Sequence, residues 1–414
     1  MTGADAEAWI TGIGILGPQG CGWDAVVRGL QQPTPLFQPV PPAWQAEPGV
    51  PAAWTAPLAA DAEAALQPFD TASADRACAM ALAAADQAWR QAGAEPQPRR
   101  GGVWWGTGMG GAQSTEQSYR RFLLERAALR PMTVPRIMAS SPAAQIATRH
   151  GLRGPNLTYA IACASAATAI GEALLALRVG RVDLAIAGGS ESMLQAGVLA
   201  GWQGLRVLST LRQAETAAQA CRPFGAGRSG LVLGEGAAAL VLERPASARA
   251  RGARPLAILA GYGSNCDAAP SLVHPQADGE ADAMRQALAD AGAPADAVGL
   301  VNAHGTGTDA GDVAEAEALA AVFGTGRAAP AVCATKSHHG HLLGAAGAME
   351  AVVSIASLVH QLVPATLGAE PRDPRCAHLQ LAAQPTGRPL DWVLSNSFAF
   401  GGANVSLLFG RAPA

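Results

Sequence analysis

GGVWWGTGMGG at residues 101–111 and GLVNAHGTGTD at residues 299–309 share one pattern: an apolar run that ends in a Gly-Thr-Gly loop. A second pair follows in the same order. VDLAIAGGSES at 182–192 and WVLSNSFAFGG at 392–402 each lead into a further apolar run, AAALVLE at 237–243 or NVSLLF at 404–409. Repetition of order and spacing within one chain is the mark of an internal duplication. It divides the sequence into two similar halves, residues 1–250 and 251–414. LAILAGYG at 256–263 and AAPAVCAT at 328–335 add further apolar runs of strand length. Runs that are continuously apolar, with no alternation, belong in sheets covered on both faces. Between them lie helical patterns such as ASAATAIGEALLALRVG at 164–180 and EADAMRQALADAG at 280–292. The expected fold class is therefore α/β, with a site fed by loops at the strand ends between the halves.

Composition narrows the function. Of 414 residues 49% are hydrophobic and 15% charged, which suits a large packed interior. A net charge of -3 argues against a nucleic-acid partner, which needs a basic field, although a local basic patch could receive an acidic protein. The N-terminal MTGADAEAWITGIGILG has no basic region before its apolar run, so no secretory signal is expected. No apolar stretch free of charges and turn residues is long enough to predict a membrane span. The seven cysteines are widely spaced, without a C-x-x-C pair, as expected for reduced thiols in a cytoplasmic protein. Eight prolines between Pro33 and Pro57 predict an irregular surface arm, and an alanine-rich helix is expected from Asp75 to Ala92.

Two segments match G-x-G-x-x-G: Gly12, Gly14, Gly17 and Gly106, Gly108, Gly111. A dinucleotide site would need a helix opening at the third glycine and an acid at the end of the next strand. PQGCG and a proline-rich region follow the first, and AQSTEQSYRRF follows the second. Tight strand-to-loop turns are the better reading, and nothing supports a redox cofactor.

The chemistry concentrates elsewhere. Cys163 lies in NLTYAIACASAATAIGEALLALRVG, where an apolar run meets a strong helix former. A thiol at a helix N-terminus is expected to have a lowered pKa, and the backbone N–H groups there can hold an oxyanion. The alternative is a structural buried cysteine. His304 in NAHGTGTDAGD and His341 in ATKSHHGHLLGAAGAME both stand at glycine-rich turns. A cysteine with sequence-distant histidines is a candidate nucleophilic set. His338, His339 and His341 could suggest a metal, but no cysteine or carboxylate lies at ligand spacing, so no metal is expected.

At these residues the chain resembles the β-ketoacyl synthase family. ACASA around Cys163, RPFGAGRSGLVLGEGAAALVLE, NAHGTGTDAGDVAEAEAL, ATKSHHGHLLGAAGAME and SNSFAFGGANVSLLF occur in the family's order and span nearly the whole chain. The resemblance is to the elongating, Cys-His-His condensing enzymes. It implies a thiolase-like five-layer αβαβα fold and a decarboxylative condensation between an acyl group on Cys163 and malonyl-acyl carrier protein. The implied partner is acyl carrier protein, whose phosphopantetheine arm carries the substrates, with no other cofactor. A homodimer is implied, and a heterodimer with a homologous subunit stays open. By the same resemblance the N–H groups of Cys163 and Phe400 form an oxyanion hole, and His304 and His341 hold the malonyl thioester oxygen. Lys336 and Glu350 support the histidine loop, and Thr306 and Thr308 bind the pantetheine arm. Phe400 gates the nucleophile, Met109 lines the acyl pocket, and Arg206 belongs to the carrier-docking surface.

The sequence departs from the family pattern at several places. Ala399 and Ala403 stand where many relatives have glycine and threonine, so a stiffer gate is expected. SLVHPQADG brings Leu272, Val273 and His274 to a segment that is usually threonine-rich. RPFGAGRSG lacks an acid after the aromatic residue, and LQPFDTASADRA offers little positive charge for docking. Two other classes are less consistent with the residues. A thiolase-type coenzyme A enzyme would carry a cysteine where His341 stands, and a non-catalytic chain-length subunit would lack Cys163. Fatty-acid synthesis and a polyketide or polyene pathway are both compatible with the sequence.

Overall fold

The computed structural model describes residues 7–69, 71–94 and 100–413. The first residues of the N-terminal segment, Asp70 of the docking stretch and the final residue of the second half lie outside that set.

The duplicated runs form strands. In the first half these are β1 (Ala8–Gly17), β2 (Gly101–Gly106), β3 (Asn156–Tyr159), β4 (Leu184–Glu191) and β5 (Gly236–Glu243). The second half supplies β6 (Ala257–Cys266), β7 (Val298–Asn302), β8 (Ala331–Cys333), β9 (Gln380–Leu381), β10 (Trp392–Ala399) and β11 (Ala403–Arg411). Their order is β9-β8-β7-β10-β11-β6-β1-β5-β4-β2-β3. Read outward from the centre, the two runs have the same topology. Two antiparallel pairs, β1–β5–β4 or β6–β11–β10, lead to parallel strands, β2–β3 or β7–β8. The runs join through a short antiparallel contact, Ala8↔Leu259 to Ile10↔Ala257.

Helices complete the layers. α1 (Arg76–Ala92) and α2 (Ser141–His150) cover the outer face of the first run, and α4 (Ala277–Ala291) and α5 (Asp309–Phe323) cover that of the second. α3 (Ser165–Arg178) and α6 (Ala346–His360) pack on each other and against both runs. The result is the five-layer αβαβα arrangement. α1 begins where the sequence predicts: the Asp75 carboxylate accepts a hydrogen bond from the Ala77 N–H as N-cap, and left-handed Gly93 ends the helix.

Two expectations need correction. Gly12 and Gly14 are not turn residues but sit inside β1, where a Cβ would lie 2.0 Å from Ala88 O and 1.8 Å from Ala84 O. Gly261 and Gly263 of β6 meet the backbone of α4 in the same way, so these glycines let a helix lie directly on a strand. The proline arm is not wholly superficial either. Val40 and Ala53 are buried with Met193, Leu199 and Leu208 in the cluster around Cys163. The arm's backbone pairs into a small sheet, and burying these apolar groups outweighs the prolines' missing donors. One stretch, Leu343–His360, is apolar enough by composition to span a membrane, but it is 89% buried as the middle-layer core.

Candidate active site

Cys163 occupies a short 3-10 turn, Ala162–Ala164, which passes directly into α3. Ala162 is left-handed, with φ 42°, a strained conformation for a residue with a Cβ. Ser165 fastens the turn by accepting from the Ile161 N–H at 2.8 Å and donating to Ala162 O at 2.7 Å. The second half repeats the device. Leu343–Ala345 is a 3-10 turn that leads into α6, and Leu343 also has φ 42°. Gly344 stands there in the place of the cysteine.

His341 reaches the turn from the segment before it. Its backbone is tied to Val232 O at 2.7 Å and to the Gly234 N–H at 2.9 Å. Nε2 lies 2.9 Å from Cys163 Sγ, while Nδ1 accepts from the Leu343 N–H at 3.2 Å. An Nδ1 that accepts fixes the tautomer: the proton is on Nε2 and faces the cysteine. His304 follows β7. Its N–H and that of Gly305 donate to the two oxygens of buried Glu315, at 2.8 and 2.7 Å. Lys336 Nζ donates to His304 O at 2.5 Å and lies 3.3 Å from its Nδ1. A lysine ammonium has no lone pair, so Nδ1 accepts and the His304 proton is also on Nε2. Lys336 makes a direct ion pair with Glu350, and both are completely buried.

The two imidazoles meet edge to face with centroids 5.4 Å apart, and ligand atoms of Cys163, His304 and His341 all lie within 4.8 Å of one another. Burial, reinforced by Lys336, holds both histidines well below the ordinary imidazole pKa, so both are neutral donors. Burial also pushes the Cys163 thiol up to about 12, against the pull of Lys336 and of the N–H groups of Phe400 and Cys163. This reverses the lowered pKa expected from the helix start, because desolvation of a fully enclosed thiolate outweighs a dipole effect of about 1 kcal/mol.

Cys163, His304, His341, Phe400, Thr306, Thr308 and Arg206 line one cavity of about 510 Å³. Thr306 and Thr308 share a hydroxyl–hydroxyl bond of 2.9 Å, and exposed Arg206 stands at the rim. Phe400 stacks on Trp202, with centroids 5.9 Å apart. Met109 is not among the residues that line this cavity. Its side chain is 43% exposed, and only its N–H is engaged, with Glu191 at 3.2 Å. The Gly-Thr-Gly loop turns its backbone inward to that carboxylate and leaves the side chain outside. His338 and His339 also turn away from the cysteine, His338 Nε2 to Ala365 O at 2.8 Å and His339 Nε2 to Thr335 Oγ1 at 3.2 Å. The three histidines of that segment therefore share no centre; the described group with ligand geometry is Cys163, His304 and His341.

Sequence reasoning missed the acids behind the loops. Glu191, at the end of β4, accepts from the N–H groups of Gly108, Met109 and Gly344, joining loops of both halves. Glu315 performs the same service for His304 and Gly305. A signal existed in each case: an acid ends the apolar run LAIAGGSE, and another interrupts the alanine face of AEAEAL.

A duplicated five-layer α/β scaffold with a buried cysteine and two neutral imidazoles at the junction of its halves defines a Cys-His-His condensing centre of the thiolase-like class. Residues 7–248 match the family described as "Beta-ketoacyl synthase, N-terminal domain", and residues 256–370 match "Beta-ketoacyl synthase, C-terminal domain". The chain belongs to the β-ketoacyl synthase family, whose members are acyl-transferring condensing enzymes. It is 40% identical over 340 residues to nodulation protein E of Rhizobium meliloti, covering 81% of this chain and 82% of that one. It is 37% identical over 316 residues to 3-oxoacyl-[acyl-carrier-protein] synthase 2 of Staphylococcus aureus strain COL, covering 75% of each. Among solved structures it resembles the ishigamide ketosynthase/chain length factor, with a TM-score of 0.89, 29% identity and coverage of 98% and 99%.

Proposed function

We propose that this chain condenses an acyl group held on Cys163 with a malonyl unit delivered by acyl carrier protein. The observation that carries the reading is the convergence of the Cys163 thiol with two imidazoles that both present Nε2–H. In the first half-reaction Sγ attacks the carbonyl carbon of an acyl-carrier thioester. The carbon–sulfur bond to the carrier breaks, and the thiol proton leaves with the carrier's sulfur. The N–H groups of Cys163 and Phe400 hold the oxyanion. In the second, the malonyl thioester oxygen accepts from Nε2–H of His304 and His341. Carbon dioxide leaves, and the electron pair of the broken bond forms the enolate. Its carbon attacks the acyl-Cys163 carbonyl, expels Sγ, and leaves a β-ketoacyl-carrier product. Sγ takes up one proton, which restores the thiol. Neutral histidines suit this step because they donate without holding the product as a strong cation would.

Thr306 and Thr308 bind the pantetheine arm, Phe400 gates Cys163, Lys336 positions His304, and Glu350 anchors Lys336. No further cofactor takes part. The 1–250 and 251–414 halves each supply part of the site, and the protein works in the cytoplasm. The relatives' names support a carrier-borne substrate and leave fatty-acid and polyketide pathways both in view. A groove lined by Arg120, Arg121, Arg130 and Arg136 offers an acidic carrier the basic surface that the sequence reading found thin, together with Arg206 at the cavity rim. Dimerisation is favoured by the outward edge of β3 and by exposed Phe122, Leu123, Leu124 and Met138. The partner is a second copy or, as in the ketosynthase/chain length factor, a homologous subunit.

The test is carbon dioxide release from malonyl-carrier protein alongside product formation. Cys163→Gln abolishes condensation and still decarboxylates, because the amide imitates an acylated cysteine and the histidines remain. His304→Ala lowers decarboxylation by roughly 10²-fold, the usual loss for an oxyanion donor. Condensation by Cys163→Gln, or undiminished decarboxylation by His304→Ala, would overturn the assigned roles.

A further inference from the structure

The active-site cavity contains an acid that the condensation does not use. Glu280, in the first turn of α4, is 1% exposed, lines the same cavity as Cys163, His304 and the threonine pair, and has a buried Oε2 without a partner. Its neighbours are different. Asp267 accepts from Asn404 Nδ2 at 2.6 Å and from the Gln276 N–H at 3.2 Å. Glu315 is occupied by His304, Gly305 and Asn396. Glu280 is thus the carboxyl of this wall with an oxygen to spare. A buried polar atom without a partner is costly, and in a substrate cavity the natural remedy is the ligand.

The surroundings decide which kind of ligand. Asp267 in the loop after β6, and Glu315, Asp312 and Glu317 on α5, bring negative charge to Glu280. The strands packed on α4 add neutral amides to this wall: Asn396 donates to Met284 Sδ of α4 and to Glu315, and Asn404 donates to Asp267. Burial comes first and these acids second in raising its pKa well above the usual carboxylate range. The start of α4 favours the ionised form by only about 0.3–1 kcal/mol and loses. Burial and the neighbouring acids both favour the protonated carboxyl, the form that can donate a hydrogen bond. A divalent cation is not the occupant, because the carboxylate oxygens here do not converge as ligands among the described residues.

We propose that Glu280 is a specificity residue that donates a hydrogen bond to a carbonyl or hydroxyl oxygen of the carrier-borne substrate as it lies in this cavity. The proposal rests on the condensing function above. The oxygen can come from the pantetheine arm or from the malonyl group, and two probes separate them.

Malonyl-pantetheine serves as the decarboxylation substrate, and pantetheine alone serves as the competing arm. Glu280→Leu raises KM for malonyl-pantetheine about tenfold, the worth of one hydrogen bond, and leaves kcat within twofold. A parallel loss of pantetheine inhibition assigns the oxygen to the arm; unchanged inhibition assigns it to the malonyl group. Glu280→Gln retains a donor of the same size and keeps KM within twofold. Wild-type KM rises with pH as the carboxyl ionises, whereas that of Glu280→Gln stays flat. That contrast decides the matter even if Glu280→Leu fails to fold. Unchanged KM and inhibition in Glu280→Leu, or identical pH profiles for wild type and Glu280→Gln, overturn the role of Glu280 and leave the condensing function standing. A wild type that neither decarboxylates the malonyl form nor is bound by pantetheine overturns both.

Discussion

The turns Ala162–Ala164 and Leu343–Ala345 are one structure used twice. Both start on a left-handed residue, both open a middle-layer helix, and both approach the junction between the halves. One bears Cys163. The other bears Gly344, whose N–H donates to Glu191 at 3.0 Å and where a Cβ would meet Gly108 N at 2.1 Å. The first turn thus places a reactive atom in the cavity, and the second fills the space against the first half with bare backbone. Support differs as well. The nucleophile turn is fastened locally by Ser165, whereas the histidines are held by buried ions, Lys336, Glu350 and Glu315. Duplication supplied the frame, and divergence of side chains at equivalent turns left the Cys163 thiol on one half and the two imidazoles on the other.

The sharpest way to break that contrast is to remove an ion from the histidine side. Glu350→Ala leaves Lys336 buried without its partner and is expected to cost about 4 kcal/mol, with loss of His304 alignment. Chemical denaturation and decarboxylation rates check this; a loss below 1 kcal/mol would show that water or another group takes over from Glu350. Next is the joint between the turns. Glu191→Ala strands the N–H groups of Gly108, Met109 and Gly344, and an expected loss of about 3 kcal/mol is measurable in the same unfolding experiment.

Protonation of the nucleophile sharpens the comparison further. With the thiol pushed to about 12, Cys163 is protonated at neutral pH, and the thiolate fraction grows about tenfold per pH unit. Alkylation of Cys163 by iodoacetamide should accelerate steadily from pH 7 to pH 9. A plateau below pH 8 would show that the helix start and the N–H donors outweigh burial after all. The smallest effect concerns the gate. Ala399 pairs with Ala403 at the end of the β10–β11 hairpin and is not left-handed, so alanine fits there without strain. Ala399→Gly is expected to speed acyl loading a few-fold by loosening the backbone beside Phe400 and to leave decarboxylation within twofold. Rapid-quench measurement of both half-reactions distinguishes this from a general change, in which both would shift together.

The sequence by itself determined the duplication, the α/β class, and the identities of Cys163, His304 and His341. Each of these is carried by a contiguous run: apolar stretches of strand length, a helix former after a cysteine, glycine turns around a histidine. Local backbone preference and burial pattern are enough to read the strands and helices, whereas the roles of Cys163, His304 and His341 rest on the resemblance to the β-ketoacyl synthase family. Only the tertiary structure decided the protonation of the thiol, the Nε2 tautomers, the position of Met109 outside the cavity, and the work of Glu191, Glu280 and Glu315. Gly12 and Gly14 belong with these, since they look like a phosphate loop in sequence and prove to be the seat of α1. The physical reason is common to all of them. A pKa depends on desolvation and a tautomer on its hydrogen-bond partner, and both are properties of the folded surroundings. Some partners lie far off along the chain, as Glu191 and Gly344 do at 153 residues apart; others, such as Leu343 beside His341 and Glu315 near His304, are close in sequence, and only the folded turn aims them at each other.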